Sequence, residues 1–337
     1  MKVAIIGNGF ISENHRAAIR DLREDGVDVE LVAVCDVREE MLEKNDGART
    51  YTDADELLKN EKELDFVCIC LPTYLHKEYT VKFLMAGVNV LCEKPMALNY
   101  KDCLEMIEAE KKSGKRLMVA HCVRFAAPLV AIYNFIKSGK FGKPRSAFFT
   151  STGGQPRWGF ENWFANGELS GGAMLDLQAH NVDLMNRYFG VPEYASSVGG
   201  ACAPDFTGYG STFGNWVYKD GLTVSSWCDW SVPKNKHHAR SVRINFEGGY
   251  LYNERGARNE LVAVDNDGNV TDITDPKLST KSTHYLEIKY FMECLESGAA
   301  FDYCPLTDSA ENVRIITAQR ESIKQCGAPV RIEDVKE

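Results

Sequence analysis

Three residues whose side chains can move a proton or stabilise an oxyanion lie in two separate segments of the sequence. Lys94 follows the apolar run 88–92, and Asp176 precedes His180 by four positions. An imidazole, whose pKa is ordinarily about 6.5, can accept the proton of a hydroxyl group. A lysine ammonium can stabilise the charge that develops on the same oxygen. We therefore expect Lys94, Asp176 and His180 to be catalytic, with Asp176 orienting the substrate or the imidazole.

Asp176 and His180 fall in a segment, 170–184, whose pattern predicts one amphipathic helix. At about 100° per residue, four polar residues share one narrow stripe of that helix, namely Asp176, His180, Asp183 and Arg187. The segment by itself also fits an ordinary solvated face in which Asp183 pairs with Arg187. The catalytic interpretation therefore depends on what the rest of the chain supplies.

The chain begins with the strand–turn–helix order of a dinucleotide-binding domain. Residues 2–6 predict a strand, and the turn GNGFIS leads into a helix that begins near Phe10. Gly7 permits a tight turn, and Gly9 lets the backbone approach a pyrophosphate. The helix end offers free N–H groups and the positive end of its dipole to that anion. Ser12 replaces the third glycine of the motif, which weakens the motif without abolishing it.

A carboxylate stands at the end of the second predicted strand. Asp36 follows the strand 30–35 and lies about where an acidic residue binds the adenosine ribose. It can accept hydrogen bonds from both ribose hydroxyls and repel a 2′-phosphate, which favours NAD over NADP. Arg38 leaves NADP open, because its guanidinium could stack on adenine or bind that phosphate. A solvated helix residue is the alternative interpretation of Arg38.

Further strands alternate with helices through the first third of the chain. Residues 65–71 and 117–120 are apolar strand candidates, as is the run 88–92 that precedes Lys94. This alternation predicts a right-handed, parallel, doubly wound α/β sheet of the Rossmann type. Ligands bind at the carboxyl ends of such strands, which is where Lys94 stands. We expect residues 1–122 to form an NAD(P)-binding Rossmann domain.

The pattern changes after that point. Alternating runs predict strands at 145–152, 194–201, 210–218, 222–231, 240–247 and 249–254. Two hairpin signals, at 219–221 and 248–249, indicate that residues 123–337 form an α+β domain with a large, mostly antiparallel open sheet. An aromatic face of that sheet must be covered, either by helices of the same chain or by another subunit, and the second option predicts a homodimer or homotetramer formed through the sheet. A helix over 308–325 is expected near the end of the chain.

Composition excludes several classes of partner. The 337 residues carry a formal net charge of −9 and no basic run, which argues against nucleic acid and anionic membrane. No apolar segment reaches the ~18 residues of a membrane span, and the first residues lack a signal-peptide pattern. Several of the 11 cysteines lie in apolar strands, which favours buried thiols in the cytoplasm and no metal site. His237 and His238 fit an exposed loop better than a ligand pair.

Taken together, these segments resemble the glucose–fructose oxidoreductase, inositol dehydrogenase and MocA-type family over nearly the whole chain. The matching segments are GNGFISENH, Asp36, LPTYLHKEYTVKFLMAGVNVLCEKP, VRFAAP, SGKFGKPRS, SGGAMLDLQAHNVDL and RSVRINFEGGYLYNE. In that family the lysine of the EKP segment and the aspartate and histidine of the D-x-x-x-H segment line the substrate site. The resemblance implies an NAD(P)-dependent oxidoreductase that transfers hydride at a carbinol of a sugar, a cyclitol or a derivative.

The residues and the resemblance together define an expected site. The cofactor-binding set is Gly7, Gly9, Phe10, Ile11, Asp36, Arg38, Leu71, Pro72, Thr73, His76, Glu93 and Lys94. The substrate-binding set is Lys94, Arg124, Arg157, Trp163, Asp176 and His180, with Arg124 near the site entrance. Thr73 stands where asparagine is common in the family, and it keeps a polar hydroxyl.

The loop 153–167 is expected to select the substrate. Trp158 and Trp163 could stack on a pyranose ring, and Arg157 could bind a carboxylate or a phosphate. Packing at the domain junction is the alternative role of these side chains, and it is the favoured role of Phe160 and Phe164.

Two other functions stay open on the sequence. An enzyme of this kind can keep its NAD and cleave a glycoside through transient oxidation and elimination. A non-catalytic NAD-sensing protein is the second alternative, although Lys94, Asp176 and His180 are all present. Only the dehydrogenase would release NADH as a product.

Overall fold

The computed structural model describes residues 1–233, 239–255 and 261–336, and it divides into two compact units. The first unit comprises Met1–Cys122, Trp158–Trp163 and Lys281–Ala310. The second unit comprises Val123–Arg157, Phe164–Thr280 and Glu311–Glu337. Two segments that were expected in the second domain, Trp158–Trp163 and Lys281–Ala310, therefore belong to the first unit. His237 and His238 lie outside the described residues.

The first unit is built on a six-stranded parallel sheet, as the alternating pattern predicts. Its strands are β1 Lys2–Ile6, β2 Glu30–Cys35, β3 Arg49–Tyr51, β4 Phe66–Ile69, β5 Asn89–Glu93 and β6 Leu117–Ala120. Their order in the sheet is β3-β2-β1-β4-β5-β6, so the order reverses between β1 and β4. Ile6 pairs with Cys35 and with Ile69, so β1, β2 and β4 end level with one another. A doubly wound sheet binds its ligand beyond the carboxyl ends at this reversal.

Ten α-helices lie in the described part of the chain. They are α1 Phe10–Glu24, α2 Ala54–Asn60, α3 His76–Met85, α4 Tyr100–Ser113, α5 Ala127–Ser138, α6 Gly167–Ser170, α7 Gly172–Asp176, α8 Ala179–Phe189, α9 Thr283–Ser297 and α10 Leu306–Lys324. In the first unit, α1 buries Ala18, Ile19 and Leu22 and packs against α9. Helix α9 was not predicted from the sequence.

The second unit is built on a nine-stranded sheet. Its strands are β7 Pro144–Thr152, β8 Tyr194–Gly200, β9 Ser211–Val217, β10 Thr223–Asp229, β11 Ala239–Phe246, β12 Gly249–Arg255, β13 Leu261–Asp265, β14 Val270–Asp272 and β15 Val330–Arg331. The order is β14-β13-β12-β11-β7-β10-β9-β8-β15, and among the strands that the structure describes only β7 and β10 pair in parallel. The six strands predicted from alternation are confirmed, whereas β13, β14 and β15 were not predicted.

The two faces of this sheet differ in burial. Phe149, Trp216 and Val242 are buried on one face, and α7 and α8 contact the strands of the same unit. Phe148 and Phe213 point the other way and are 42% and 50% exposed. Because side chains alternate along a strand, the period-two pattern produces one core face and one exposed face with aromatic residues.

Candidate active site

The turn between β1 and α1 has the geometry of a pyrophosphate-binding loop. Gly7 has a φ of +89°, and a Cβ atom there would lie 2.6 Å from a backbone carbonyl oxygen just after β4, so only glycine fits. A Cβ atom at Gly9 would meet only the side chain of Arg38, at 3.9 Å. Among the described residues, no side chain caps the start of α1. The N–H groups at Phe10 and Ile11 therefore lie where an anion can bind.

Asp36 follows β2, and its carboxylate organises the same turn. It accepts hydrogen bonds from the backbone N–H groups of Asn8 at 2.8 Å and Arg38 at 3.0 Å. The Arg38 side chain also donates to it, through Nε at 3.0 Å and Nη2 at 3.1 Å. The guanidinium offsets the negative charge that would otherwise repel a 2′-phosphate. The arrangement is therefore compatible with NAD and with NADP.

Lys94 follows β5, and its backbone is held by a buried carboxylate. Glu93 accepts hydrogen bonds from the N–H of Lys94 at 3.1 Å and from Nε2 of His15 at 2.8 Å. The ring of His284 lies against His15, with 5.4 Å between ring centroids. Burial opposes ionisation of Glu93, but the hydrogen bond and charge of His15 hold the pKa of that carboxyl at about 2. An ionised Glu93 thus fixes the peptide that carries Lys94.

His15, Glu93 and His284 also form a set of metal-ligand types whose donor atoms lie within 4.8 Å of one another. Two ligands of a tetrahedral zinc ion are about 3.4 Å apart when each bond is about 2.1 Å long. The contact between His15 and Glu93 is 2.8 Å, which is the length of a hydrogen bond. Burial lowers the pKa of His284 to about 4, so this ring is neutral at physiological pH. As it stands, the cluster is a hydrogen-bonded support for Lys94.

His76 holds two backbone loops together. Its Nδ1 lies 2.8 Å from the carbonyl oxygen of Pro95, and its Nε2 lies 2.9 Å from that of Leu71. Burial lowers the pKa of this histidine. The ring is therefore neutral and donates to only one of these two carbonyl oxygens. The expected contact of His76 with the cofactor stays a prediction. Pro72 and the buried Thr73 lie in the loop between these contacts, after β4.

Asp176 and His180 lie on two short helices and not on the single helix that the pattern predicts. Asp176 is the last residue of α7, and His180 is the second residue of α8. The helix is interrupted because the N–H of Gln178 bonds the carbonyl of Ala173, five residues back, which widens the turn. Asp176 and His180 both remain partly exposed, whereas Gln178 between them is buried.

Asp183 is buried, so the alternative of an ordinary solvated face for the polar stripe is wrong. Its carboxylate accepts hydrogen bonds from Nε of Arg124 at 2.8 Å, from Nη2 of Arg124 at 2.6 Å and from Nδ2 of Asn312 at 2.8 Å. Arg124, expected near the site entrance, is only 2% exposed. Arg124 is drawn into the core because the buried carboxylate of Asp183 requires a charged partner. Arg187, also in the predicted stripe, lies 4.4 Å over the ring of Tyr133.

The three residues expected to select the substrate from loop 153–167 have other partners. Arg157 is exposed and donates to Asp205 at 2.7 Å and 3.1 Å. Trp158 lies against Phe10, and the buried Trp163 lies against Tyr74, with centroid distances of 4.5 Å and 6.3 Å. Both tryptophans therefore contact loops of the nucleotide-binding unit, to which they belong.

Sequence reasoning missed the support of Lys94. His15 lies on the stripe of α1 that also buries Ala18, Ile19 and Leu22, so its helical spacing could have identified it as a buried polar residue. His284 carries no comparable signal, because it reaches the cluster from α9, far along the chain.

Two family models match the chain. Residues 1–121 match an oxidoreductase family with an NAD-binding Rossmann fold, and residues 129–252 match the GFO/IDH/MocA C-terminal domain. The protein therefore belongs to the GFO/IDH/MocA oxidoreductase family, and the resemblance noted in the sequence is confirmed. Within the described residues, no helix is both long and apolar enough to cross a bilayer.

Curated relatives are similar over part of the chain. D-glucoside 3-dehydrogenase of Escherichia coli is 32% identical over 203 residues, which are 58% of this chain and 56% of that protein. Inositol 2-dehydrogenase of Salmonella typhimurium is 35% identical over 150 residues, which are 43% of this chain and 44% of that protein. The chain thus spans about half the length of these relatives.

A solved structure confirms the fold over the full length. An oxidoreductase from Agrobacterium radiobacter, in complex with NAD⁺, L-tartaric acid and magnesium, matches with a TM-score of 0.86. The match covers 100% of this chain and 99% of that chain at 20% sequence identity. The predicted combination of a parallel Rossmann sheet with a mostly antiparallel second sheet is therefore confirmed.

Proposed function

We propose that the protein is an NAD-dependent dehydrogenase that transfers hydride between nicotinamide and a carbinol of a sugar, a cyclitol or a derivative. The observation that carries this proposal is the place of Lys94 after β5, at the carboxyl edge of the parallel sheet, on a peptide held by the ionised Glu93. An ammonium at that edge serves a reaction in which alkoxide charge develops. Membership of the family and the similarity to glucoside and inositol dehydrogenases support the same reaction.

The bound nicotinamide supplies the hydride acceptor or donor, and the proposed roles of this chain concern the proton and the charge. His180 takes the hydroxyl proton when the carbinol is oxidised, a role that contributes roughly 10²–10⁴ in rate. Lys94 donates a hydrogen bond to the same oxygen, which contributes roughly 10²–10³. Asp176 orients the substrate or the imidazole.

The proposed cofactor is NAD, with NADP as an alternative. Three features support a dinucleotide at the edge of the parallel sheet: the space above Gly9, the uncapped start of α1 and the carboxylate of Asp36. The pairing of Asp36 with Arg38 makes the site compatible with NADP as well. The rest of the proposed cofactor-binding set lies near the carboxyl ends of β1, β4 and β5 and comprises Gly7, Phe10, Ile11, Leu71, Pro72, Thr73, His76, Glu93 and Lys94.

We also propose that the exposed face of the nine-stranded sheet joins copies of the chain into a homodimer or homotetramer. Phe213 and Trp227 stack on that face with ring centroids 5.9 Å apart, and Phe148 is exposed on a nearby strand. Apolar surface of this kind usually marks an interface. Light scattering should give the mass of a dimer or tetramer for the wild type and a smaller mass for Phe213→Asp. A monomeric wild type would refute this interface.

A cytoplasmic location is proposed from the cysteines. All 11 are free thiols, and most of them are buried. Free thiols persist in a reducing compartment. Cell fractionation that places the protein with secreted or membrane proteins would contradict this location.

The reaction is tested by following the absorbance of NADH with purified protein, NAD or NADP, and a panel of free sugars, inositols, sugar phosphates and glycosides. NADH that appears with one compound would support the dehydrogenase and name its substrate class. If the panel gives no NADH while cofactor remains bound and a glycoside releases its aglycone, the assignment moves to glycoside cleavage through transient oxidation.

A further inference from the structure

An aromatic segment of the first unit, Trp158–Trp163, crosses the carboxyl edge of the parallel sheet, and we name it the cofactor strap. Its rings make three contacts with other parts of the unit: Trp158 with Phe10 at 4.5 Å, Phe160 with the guanidinium of Arg38 at 5.0 Å, and Trp163 with Tyr74 at 6.3 Å. The strap therefore touches three separate loops through three separate rings.

The three loops follow β1, β2 and β4, which are neighbours in the sheet in the order β2-β1-β4. A dinucleotide bound to this kind of sheet places its ribose at the end of β2 and its pyrophosphate at the turn after β1. The rest of the molecule crosses the reversal of strand order toward β4. The contacts of the strap thus follow the path of the ligand along its length.

The backbone of the strap is strained where it turns. Glu161 has φ 48° and ψ 26°, and Asn162 has φ 53° and ψ 34°, so two consecutive non-glycine residues are left-handed. L-residues adopt this region rarely, and glutamate less readily than asparagine. Such strain persists where the surrounding structure imposes it, and it concentrates at ligand clamps. Here it lies between the ring that meets Arg38 and the ring that meets Tyr74.

The strap also leaves large aromatic surface open at the pyrophosphate turn. Phe10 is 65% exposed and Trp158 is 54% exposed, although their rings lie against each other. Phe10 is the first residue of α1, beside the N–H groups that are placed to bind an anion. A ligand lying between the strap and the sheet edge would cover these rings.

We propose that the cofactor strap forms the second wall of the dinucleotide site and that Phe160, with Arg38, holds the adenine. On binding, the ribose hydroxyls replace the Arg38 side chain on Asp36, and the guanidinium stays on the ring of Phe160. The cofactor then leaves only when the strap lifts, so its release is slow. This inference rests on the proposed function only in taking an adenine dinucleotide as the ligand.

The test is the release of NADH from Phe160→Leu, which removes the ring and keeps most of the volume. Release is followed by the loss of NADH fluorescence after displacement with excess NAD, without any substrate. We expect release about fivefold faster or more, because stacking of a base on an aromatic side chain strengthens binding by at least about that factor. The affinity for ADP-ribose should fall by the same factor. Nicotinamide mononucleotide, which has no adenine, should bind as it does to the wild type.

A matched control is Phe301→Leu. Arg116 lies 4.2 Å over the ring of Phe301, so this variant removes an arginine–phenylalanine contact of the same kind in the same unit. Arg116 directly precedes β6 and therefore lies at the opposite, amino edge of the sheet. NADH release from Phe301→Leu should not change. Equal acceleration in both variants, or none in Phe160→Leu, would overturn the proposal.

The binding measurements separate this proposal from the proposed reaction. If no carbinol is oxidised while Phe160→Leu releases NADH faster, the reaction is refuted and the strap is supported. If turnover is found while NADH release from Phe160→Leu equals that of the wild type, the strap is refuted and the reaction stands.

Discussion

The two units hold their functional residues by different means. In the first unit, Asp36 and Lys94 directly follow parallel strands, and backbone groups define their places. Gly7 has a backbone conformation that leaves no room for a Cβ atom. The carboxylate of Asp36 accepts a hydrogen bond from the N–H of Asn8 in the same turn. His76 lies between two loops and donates a hydrogen bond to a backbone carbonyl group of one of them. The first site is therefore largely a consequence of the sheet.

In the second unit, side chains from distant parts of the chain hold the helix pair that carries Asp176 and His180. Gln178 donates to Gln319 at 2.6 Å, and Asp183 binds Arg124 deep in the core. Each of these contacts joins residues that are remote in sequence. Loss of a contact in the first site should therefore weaken ligand binding, whereas loss of a contact in the second should lower the stability of the unit.

The largest expected effect is on stability, in Asp183→Leu. The variant leaves the Arg124 guanidinium buried without its carboxylate, and breaking a buried ion pair costs about 3–5 kcal/mol. We expect a clear fall in the midpoint of thermal unfolding measured by calorimetry.

Two controls decide what that fall means. The double variant Arg124→Met with Asp183→Leu should recover much of the loss, because apolar residues can replace both ions. Asp205→Leu breaks the exposed pair with Arg157 and should change the midpoint little. If Asp183→Leu is no worse than Asp205→Leu, the buried network does not hold the second unit and the comparison fails.

The next effect is on catalysis, in Lys94→Met. We expect kcat to fall roughly 10²–10³-fold, because one donor to the developing alkoxide is lost. NADH affinity and the thermal midpoint should stay near those of the wild type, since a network of other groups fixes the backbone at this position. Lys82→Met is the matched control, because Lys82 binds Asp55 at 2.9 Å on the surface and should leave kcat unchanged. An undiminished kcat in Lys94→Met would remove Lys94 from the mechanism.

The fold of the first site could be predicted because its signals are local. Residues 2–6, 30–35 and 117–120 were predicted as strands, and the structure has β1, β2 and β6 at those bounds. A buried parallel strand is a short apolar run, and the turn after it needs glycine, so both are visible in sequence. The position of Asp36 follows from the same spacing.

The remaining parts of the candidate site depend on long-range contacts, which no local sequence pattern encodes. The predicted helix over 170–184 was wrong at Gln178, whose side chain is held by Gln319 of α10. The burial of Asp183 depends on Arg124, which precedes it by 59 residues. The contact of Trp158 with Phe10 is likewise long-range, so the sequence left this ring either as a substrate contact or as packing at the domain junction.

A smaller effect tests whether the first unit also depends on a side-chain cluster. The pKa of His284 is about 4 in the folded protein and ordinarily about 6.5, so the folded state binds fewer protons between these values. The contribution of the neutral His284 to the free energy of unfolding is therefore fully present above about pH 6.5, and it is lost as the pH falls toward 4. Between pH 7 and pH 5 the expected loss is about 2 kcal/mol. The variant His284→Phe keeps a ring against His15, and its free energy of unfolding should fall less between these two pH values, as measured by urea unfolding at each pH. Parallel curves for the variant and the wild type would show that His284 does not carry this dependence.

The smallest expected effect is on cofactor choice, in Asp36→Asn. The amide keeps an acceptor for the N–H of Asn8 but loses the charge that pairs with Arg38 and binds the ribose hydroxyls. NAD affinity should fall about tenfold, the typical cost of one hydrogen bond to a charged group. NADP affinity should hold or rise, because the 2′-phosphate then meets the Arg38 guanidinium without a competing carboxylate. Fluorescence titration with NADH and NADPH measures both affinities, and Asp55→Asn, at an exposed carboxylate, should change neither affinity.

Equal losses of affinity for the two cofactors would mean that Asp36 supports the turn and does not bind the ribose. The first site would then depend on side-chain support as the second does.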